Sequence, residues 1–140
     1  MPELTREEKL LKTHEGLRLK PYRCTAGALT IGIGRNLDAN GISEDEAILL
    51  MRNDLAKCKA QVATLDMPED LGEVRTAVLV NMCFNLGFGG LKSFKRTLGL
   101  IKEKRFVEAA KAMGESKWAR QVGRRATTLR RMMETGRWPD

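Results

Sequence analysis

Most acidic residues of this 140-residue chain fall where a carboxylate is simply solvated. Glu7, Glu8, Glu44, Asp45, Glu69, Asp70 and Glu103 lie in helical surface patterns. Glu15 differs. It is followed by Gly16 and stands where a helical pattern gives way to a strand-like one. A carboxyl part-buried at such a junction would keep its proton and could donate it. The chain has one histidine, His14, and three cysteines, Cys24, Cys58 and Cys83. Their wide spacing gives no zinc signal. A nucleophilic pair of Cys24 with His14 stays open, although a lone histidine is more often a surface or capping residue. The glycines of GIGRNL lack the lysine and hydroxyl of a phosphate loop and suit a tight hairpin instead. No metal or cofactor is expected.

The elements that must position Glu15 can be read from local signals. Thr5 and Glu8 form a capping box, so a first helix runs from there to about Glu15–Gly16. Residues 17–42 read as a small antiparallel sheet. ALTIGIG alternates with period two, Cys24-Thr25-Ala26-Gly27 marks a hairpin turn, and Asn40-Gly41 marks a second turn. Ser43 and Glu46 form another capping box, opening a helix to about residue 62. Asp66-Met67-Pro68 breaks it. Leu71, Val74, Val78 and Met82 place a helix over Glu69–Asn85, and Gly87, Gly89 and Gly90 form a flexible turn. Further helices are expected at about 92–101, 105–113, around Trp118, and at Thr127–Glu134, the last of them stopped by Gly136. The fold class is α+β, with a small antiparallel sheet lobe and a larger helical lobe joined by a connecting helix. The chain is expected to be one domain, with a sheet lobe of about 14–62 and a helical lobe of about 63–140 plus the N-terminal helix.

Composition narrows the setting. An odd cysteine count leaves at least one thiol free within the chain and fits a reducing compartment without disulfides. The start, MPELTREEKLLK, is charged and reads as neither a signal peptide nor an anchor. The stretch Ala77–Leu91, interrupted by Asn81 and Asn85, is expected to be too short and too polar to span a bilayer. The net charge of +7 favours polyanions, either nucleic acid or an anionic cell wall. Arginines at 120, 124, 125, 130, 131 and 137 could form a plain cationic helix face, a wall-binding surface or the phosphate contacts of a helix-turn-helix. With aromatics at 5%, an RNA-binding sheet is not indicated.

Taken together, three segments resemble the phage-type lysozyme (endolysin) family, glycoside hydrolase family 24, typified by the lysozyme of bacteriophage T4. They are HEGLRLKPYRCTAGALTIGIGRNL (14–37), AVLVNMCFNLGFGGLKSF (77–94) and SKWARQVGRRATTLRRMMETGRW (116–138); the middle helix SEDEAILLMRNDL also fits. The family carries a catalytic Glu, an Asp or Cys after eight intervening residues, and a Thr after five more. Glu15, Cys24 and Thr30 meet that spacing.

The resemblance implies a muramidase that cleaves the β-1,4 bond between N-acetylmuramic acid and N-acetylglucosamine in peptidoglycan. Glu15 would be the general acid, with Cys24 and Thr30 handling water in an inverting reaction. Arg125 falls on the arginine that lies near the catalytic glutamate in the family. Asn81 and Asn85 fall on the cleft-facing helix, with Asn85 where the prototype has glutamine. Arg35 takes the place of a histidine after the strand. Peptidoglycan is the implied partner, with no nucleic acid, no stable membrane insertion and a monomeric state. A holin would give access to the wall, so the enzyme would wait in the host cytoplasm until release to the periplasm or cell wall. A lytic transglycosylase, a basic nucleic-acid-binding module and a catalytically dead descendant are the competing readings.

Overall fold

Thr5 opens the first helix by a reciprocal pair of bonds. Its Oγ1 accepts from Glu8 N at 3.1 Å, and Glu8 Oε1 accepts from Thr5 N at 2.8 Å. Helix α1 then runs Arg6–Glu15 and ends at Gly16, whose φ of 78° suits glycine. The computed structural model describes residues 3–140. Met1 and Pro2, which begin the stretch read above as lacking a leader, lie outside the described residues. The chain forms two compact units, residues 1–49 and 50–140.

The first unit continues as an antiparallel sheet in the order β1 (Arg18–Arg23), β2 (Leu29–Gly32), β3 (Arg35–Asn36). The β1–β2 turn closes where expected, with Gly27 N donating to Cys24 O at 2.8 Å and Cys24 N to Ala28 O at 3.0 Å. Tyr22 faces Thr30 across the ladder, and Thr30 faces Asn36 on the other side. The sheet stops earlier than residue 42. Asn36 instead caps a short helix, α2 (Leu37–Asn40), its Oδ1 accepting from Ala39 N at 2.9 Å. Asn40-Gly41 is therefore a helix exit and not a hairpin turn. Among the described residues of this unit only Thr30 is buried. Turns, caps and ladder bonds hold it together.

Helix α3 (Glu44–Ala63) starts at the Ser43–Glu46 box. Glu46 has a second duty: its two carboxylate oxygens accept from Arg35 Nη1 and Nη2 at 2.8 and 2.7 Å. Arg35 Nη1 also donates to Gly41 O at 3.0 Å, which fastens β3 to the start of α3. The guanidinium, with Ser43 N–H, pulls the Glu46 pKa down to about 2. A depressed carboxylate stabilises the fold above its ordinary pKa and loses that contribution as pH falls. The melting temperature is therefore expected to fall between pH 4.5 and about 2, and Glu46→Gln should flatten that part of the profile. Thermal unfolding of both proteins over this range checks it.

In the second unit α4 runs Glu73–Lys92, starting four residues later than expected. Gly87, at φ 78° and ψ 161°, is non-helical and separates two helical stretches across a kink, so the chain changes direction at the first of the glycines expected to turn it. By length and composition α4 could cross a membrane, which corrects the expectation of a stretch too short and too polar. Its Val78, Leu79, Val80, Met82, Cys83 and Leu91 are packed in the protein core instead. The remaining helices are α5 (Lys95–Lys102), α6 (Phe106–Gly114), α7 (Lys117–Val122) and α8 (Arg124–Thr135). Helix α8 packs on α4, α6 and α7, and Gly136 ends it in the left-handed conformation, as expected. Arg75 clasps its end. The guanidinium lies 3.8 Å from the Phe106 ring centroid and donates to Met133 O at 2.7 Å and Glu134 O at 3.0 Å.

Candidate active site

Glu15 is the last residue of α1 and is exposed. This corrects the expectation of part burial: α1 buries none of its residues, so its final side chain is not carried into a core. Its close neighbour is the backbone of Gly34, in the β2–β3 turn. A Cβ at position 34 would collide with Glu15 Oε2 and stand 2.8 Å from its Cδ. The carboxylate thus occupies the space that any other residue at position 34 would fill. Gly34 was read above only as a hairpin glycine. The close approach spans nineteen positions, and no local spacing announces it.

Cys24 and Thr30 come together at the β1–β2 turn. The Thr30 hydroxyl donates to Ala28 O at 2.9 Å, so its oxygen is left to accept. The Cys24 thiol is lowered below its ordinary value. The N–H of Ala28 is the main cause and that of Ala26 the next. Thr30 is 4% exposed and Cys24 half-buried, so the sulfur is the reachable member. His14, the residue before Glu15 in α1, is exposed, in keeping with a surface role.

The remaining candidates pair with other partners. Arg35 is engaged by Glu46 and Gly41 O, a brace across the sheet's exit. On the second unit, Arg125 Nε donates to Asn81 Oδ1 at 2.9 Å and its Nη2 to Asn81 O at 3.4 Å. Asn85 Oδ1 accepts from the Trp118 indole at 2.8 Å, and Trp118 meets Phe94 edge-on at 5.9 Å. Asn85 therefore satisfies a buried indole, a duty its position in a motif did not disclose. A groove of about 1020 Å³ crosses this unit; Met51, Leu55, Val80 and Phe84 give it apolar walls, with Asn81 and Arg125 as polar lining. Among the described residues no cluster of His, Cys, Asp and Glu could hold a metal ion.

The sequence matches a known set of proteins. The family model described as phage lysozyme matches residues 12–134. The chain belongs to the phage lysozyme family. It is 31% identical over 157 aligned positions to a probable T4-type lysozyme 1 of Dictyostelium discoideum, covering 91% of this chain and 92% of that protein. It is 33% identical over 81 positions to an endolysin of Acyrthosiphon pisum secondary endosymbiont phage 1, covering 56% and 55%. A 28% match covers 91% of this chain but 27% of the pre-baseplate central spike protein Gp5 of Enterobacteria phage T4. The two-lobed arrangement, a small antiparallel sheet followed by a larger helical part, is that of a lysozyme. The phage lysozyme family member described here is a glycoside hydrolase of the lysozyme type, acting on peptidoglycan.

Proposed function

We propose that the enzyme hydrolyses the β-1,4 bond between N-acetylmuramic acid and N-acetylglucosamine with inversion at the anomeric carbon. The observation that carries this reading is the Cys24–Thr30 pair, held at one hairpin of the unit that also bears Glu15. Glu15 gives a proton to the departing glycosidic oxygen. A water approaches from the opposite face, one hydrogen directed to the Thr30 oxygen. As it adds to the anomeric carbon, the Cys24 thiolate takes the released proton. Glu15 then regains a proton and Cys24 loses one through solvent. Asn81 and Arg125 supply hydrogen-bonding surface for the sugar chain. The arginine-rich end draws the protein to the anionic wall.

The biological role that follows is lysis of a bacterial host by a monomeric endolysin. It stays in the host cytoplasm until a holin admits it to the wall. Muropeptides released by the enzyme should carry a full added water and a reducing N-acetylmuramic end that first appears as the α anomer. Proton NMR within the first minutes, with mass analysis, reads both. An initial β anomer would overturn inversion, and a product one water short would show a lytic transglycosylase.

Cys24 provides a second check. Its alkylation by iodoacetamide at pH 7 should outpace that of an ordinary thiol, because a lowered pKa raises the thiolate fraction at neutral pH. Cys24→Ala should lose about 100-fold in wall hydrolysis, while Cys24→Asp stays active, since a carboxylate can accept the same proton. An alanine variant as active as wild type would reduce Cys24 to packing.

A further inference from the structure

Asp38 has no place in the reaction itself, yet its carboxylate grips the hairpin that carries Cys24 and Thr30. The β2–β3 ladder ends at the Thr30–Asn36 pair, because the chain after Asn36 turns into α2. Leu29, one residue before Thr30 at the start of β2, therefore faces no strand on that side. A backbone N–H needs an acceptor. Asp38, on α2, supplies it: Oδ2 accepts from Leu29 N at 2.8 Å. A side chain thus stands where a β3 carbonyl would have been.

That N–H belongs to the peptide plane between Ala28 and Leu29. The other end of the same plane is the Ala28 carbonyl, which accepts from the Thr30 hydroxyl at 2.9 Å and from Cys24 N at 3.0 Å. A rigid plane held at its N–H cannot rotate without breaking a charge-assisted bond. The carboxylate also polarises the amide, which makes the carbonyl a better acceptor. Arg23, the residue before Cys24, acts on the neighbouring plane in the same way. Its Nη1 donates to Gly27 O at 3.1 Å, and the N–H of that plane is the Ala28 N–H that lowers the Cys24 thiol. The same Nη1 lies 3.5 Å from Asp38 Oδ2. Both side chains are exposed, and such an ion pair contributes little stability. What they set is the direction of two successive peptide planes, whose inner ends serve Cys24 and Thr30.

We propose that Asp38 is a positioning residue for the Cys24–Thr30 pair, fixing through the Ala28–Leu29 peptide where the Thr30 hydroxyl points and where the Cys24 sulfur stands. This role rests on the reading of that pair as the groups that handle water. Without the Asp38 bond the Ala28 carbonyl is free to turn, and the Thr30 hydroxyl turns with it. A shift of about 1 Å at a reacting group costs about 100-fold in rate, and Asp38 acts one peptide away, so a loss of about 10-fold is expected.

Asp38→Ala and Asp38→Asn separate the bond from the charge. Both remove the carboxylate charge, but only asparagine keeps an oxygen that can accept from Leu29 N. Neither disturbs the α2 cap, which belongs to Asn36. In wall hydrolysis Asp38→Ala should lose about 10-fold in kcat with KM within about 2-fold of wild type, and Asp38→Asn should recover most of that loss. Cys24 gives a readout that needs no turnover. Once the turn no longer aims its N–H groups at the sulfur, alkylation by iodoacetamide at pH 7 should slow about 5-fold in Asp38→Ala and stay near the wild-type rate in Asp38→Asn. Should the alanine variant fail to fold by circular dichroism, NMR of the other two proteins decides: the wild-type Leu29 amide proton should resonate downfield of its position in Asp38→Asn, as a charged acceptor requires. Equal alkylation rates in Asp38→Ala and wild type would overturn the positioning role, whatever the rate of hydrolysis. So would a Leu29 amide that does not move, or an asparagine variant as impaired as the alanine one. Slower alkylation with unchanged hydrolysis would uphold the positioning and remove Cys24 and Thr30 from the reaction.

Discussion

Glu15→Gln is expected to fold as the wild type does and to lose about 10³-fold or more in wall hydrolysis. The amide has nearly the shape of the carboxyl, so its contact with Gly34 persists. Helix α1 keeps its cap, which depends on Thr5 and Glu8 and not on Glu15. What disappears is the proton for the departing oxygen, and an alkoxide leaves poorly without one. Glu15→Asp withdraws the acid by one methylene and should retain a small fraction of activity. Turbidity clearing of purified walls gives the rates, and circular dichroism confirms the fold. If the glutamine variant cleared walls at the wild-type rate, the general acid would have to lie elsewhere.

Gly34→Ala is the second large effect expected, and it reaches the same carboxylate from the other side. Two costs are combined at this site. The backbone φ is +71°, where a residue with a Cβ is strained by about 1–2 kcal/mol. The new Cβ would also collide with Glu15 Oε2, so the carboxylate must swing away. A displacement of about 1 Å at a reacting group can cost about 100-fold in rate. Gly32→Ala separates the two costs. Its φ is +72°, yet its Cβ would meet nothing within 4 Å. Gly32→Ala should therefore lower the melting temperature while leaving kcat near wild type. Gly34→Ala should lower both. Equal activity in the two variants would show that the contact with Glu15 plays no part in catalysis.

What could be read in advance was local. A reciprocal bond across three residues is visible as Thr5 with Glu8 or Ser43 with Glu46, and both caps form as read. The hairpin at Cys24–Gly27 follows from its turn residues. Where the kind of turn was misread, a glycine or asparagine signalled a change of direction without specifying which kind. Asn36 used its side chain to start a helical turn, so Asn40-Gly41 became an exit. Gly87 does break the helix, and the apolar residues on both sides stay in the core. At the candidate site, the spacing of Glu15, Cys24 and Thr30 was legible through the family motif. The partners of Arg35, Asn85 and Arg125 were not. Each partner is chosen by packing between elements, as Trp118 chooses Asn85 across 33 positions.

The Arg75 clasp has a consequence in time as well as in space. It joins residues 58 and 59 positions apart, whereas the caps of α1 and α3 close over three. Bringing distant chain ends together costs entropy before any contact repays it, and slows assembly. On a ribosome, the sheet unit and its caps have all their partners once α3 has begun to emerge. Arg75 and Phe106 wait, with the carbonyls of Met133 and Glu134 still to be made. The second unit therefore closes its ring only after Met133 and Glu134 have left the exit tunnel, and α8 is the element that completes it.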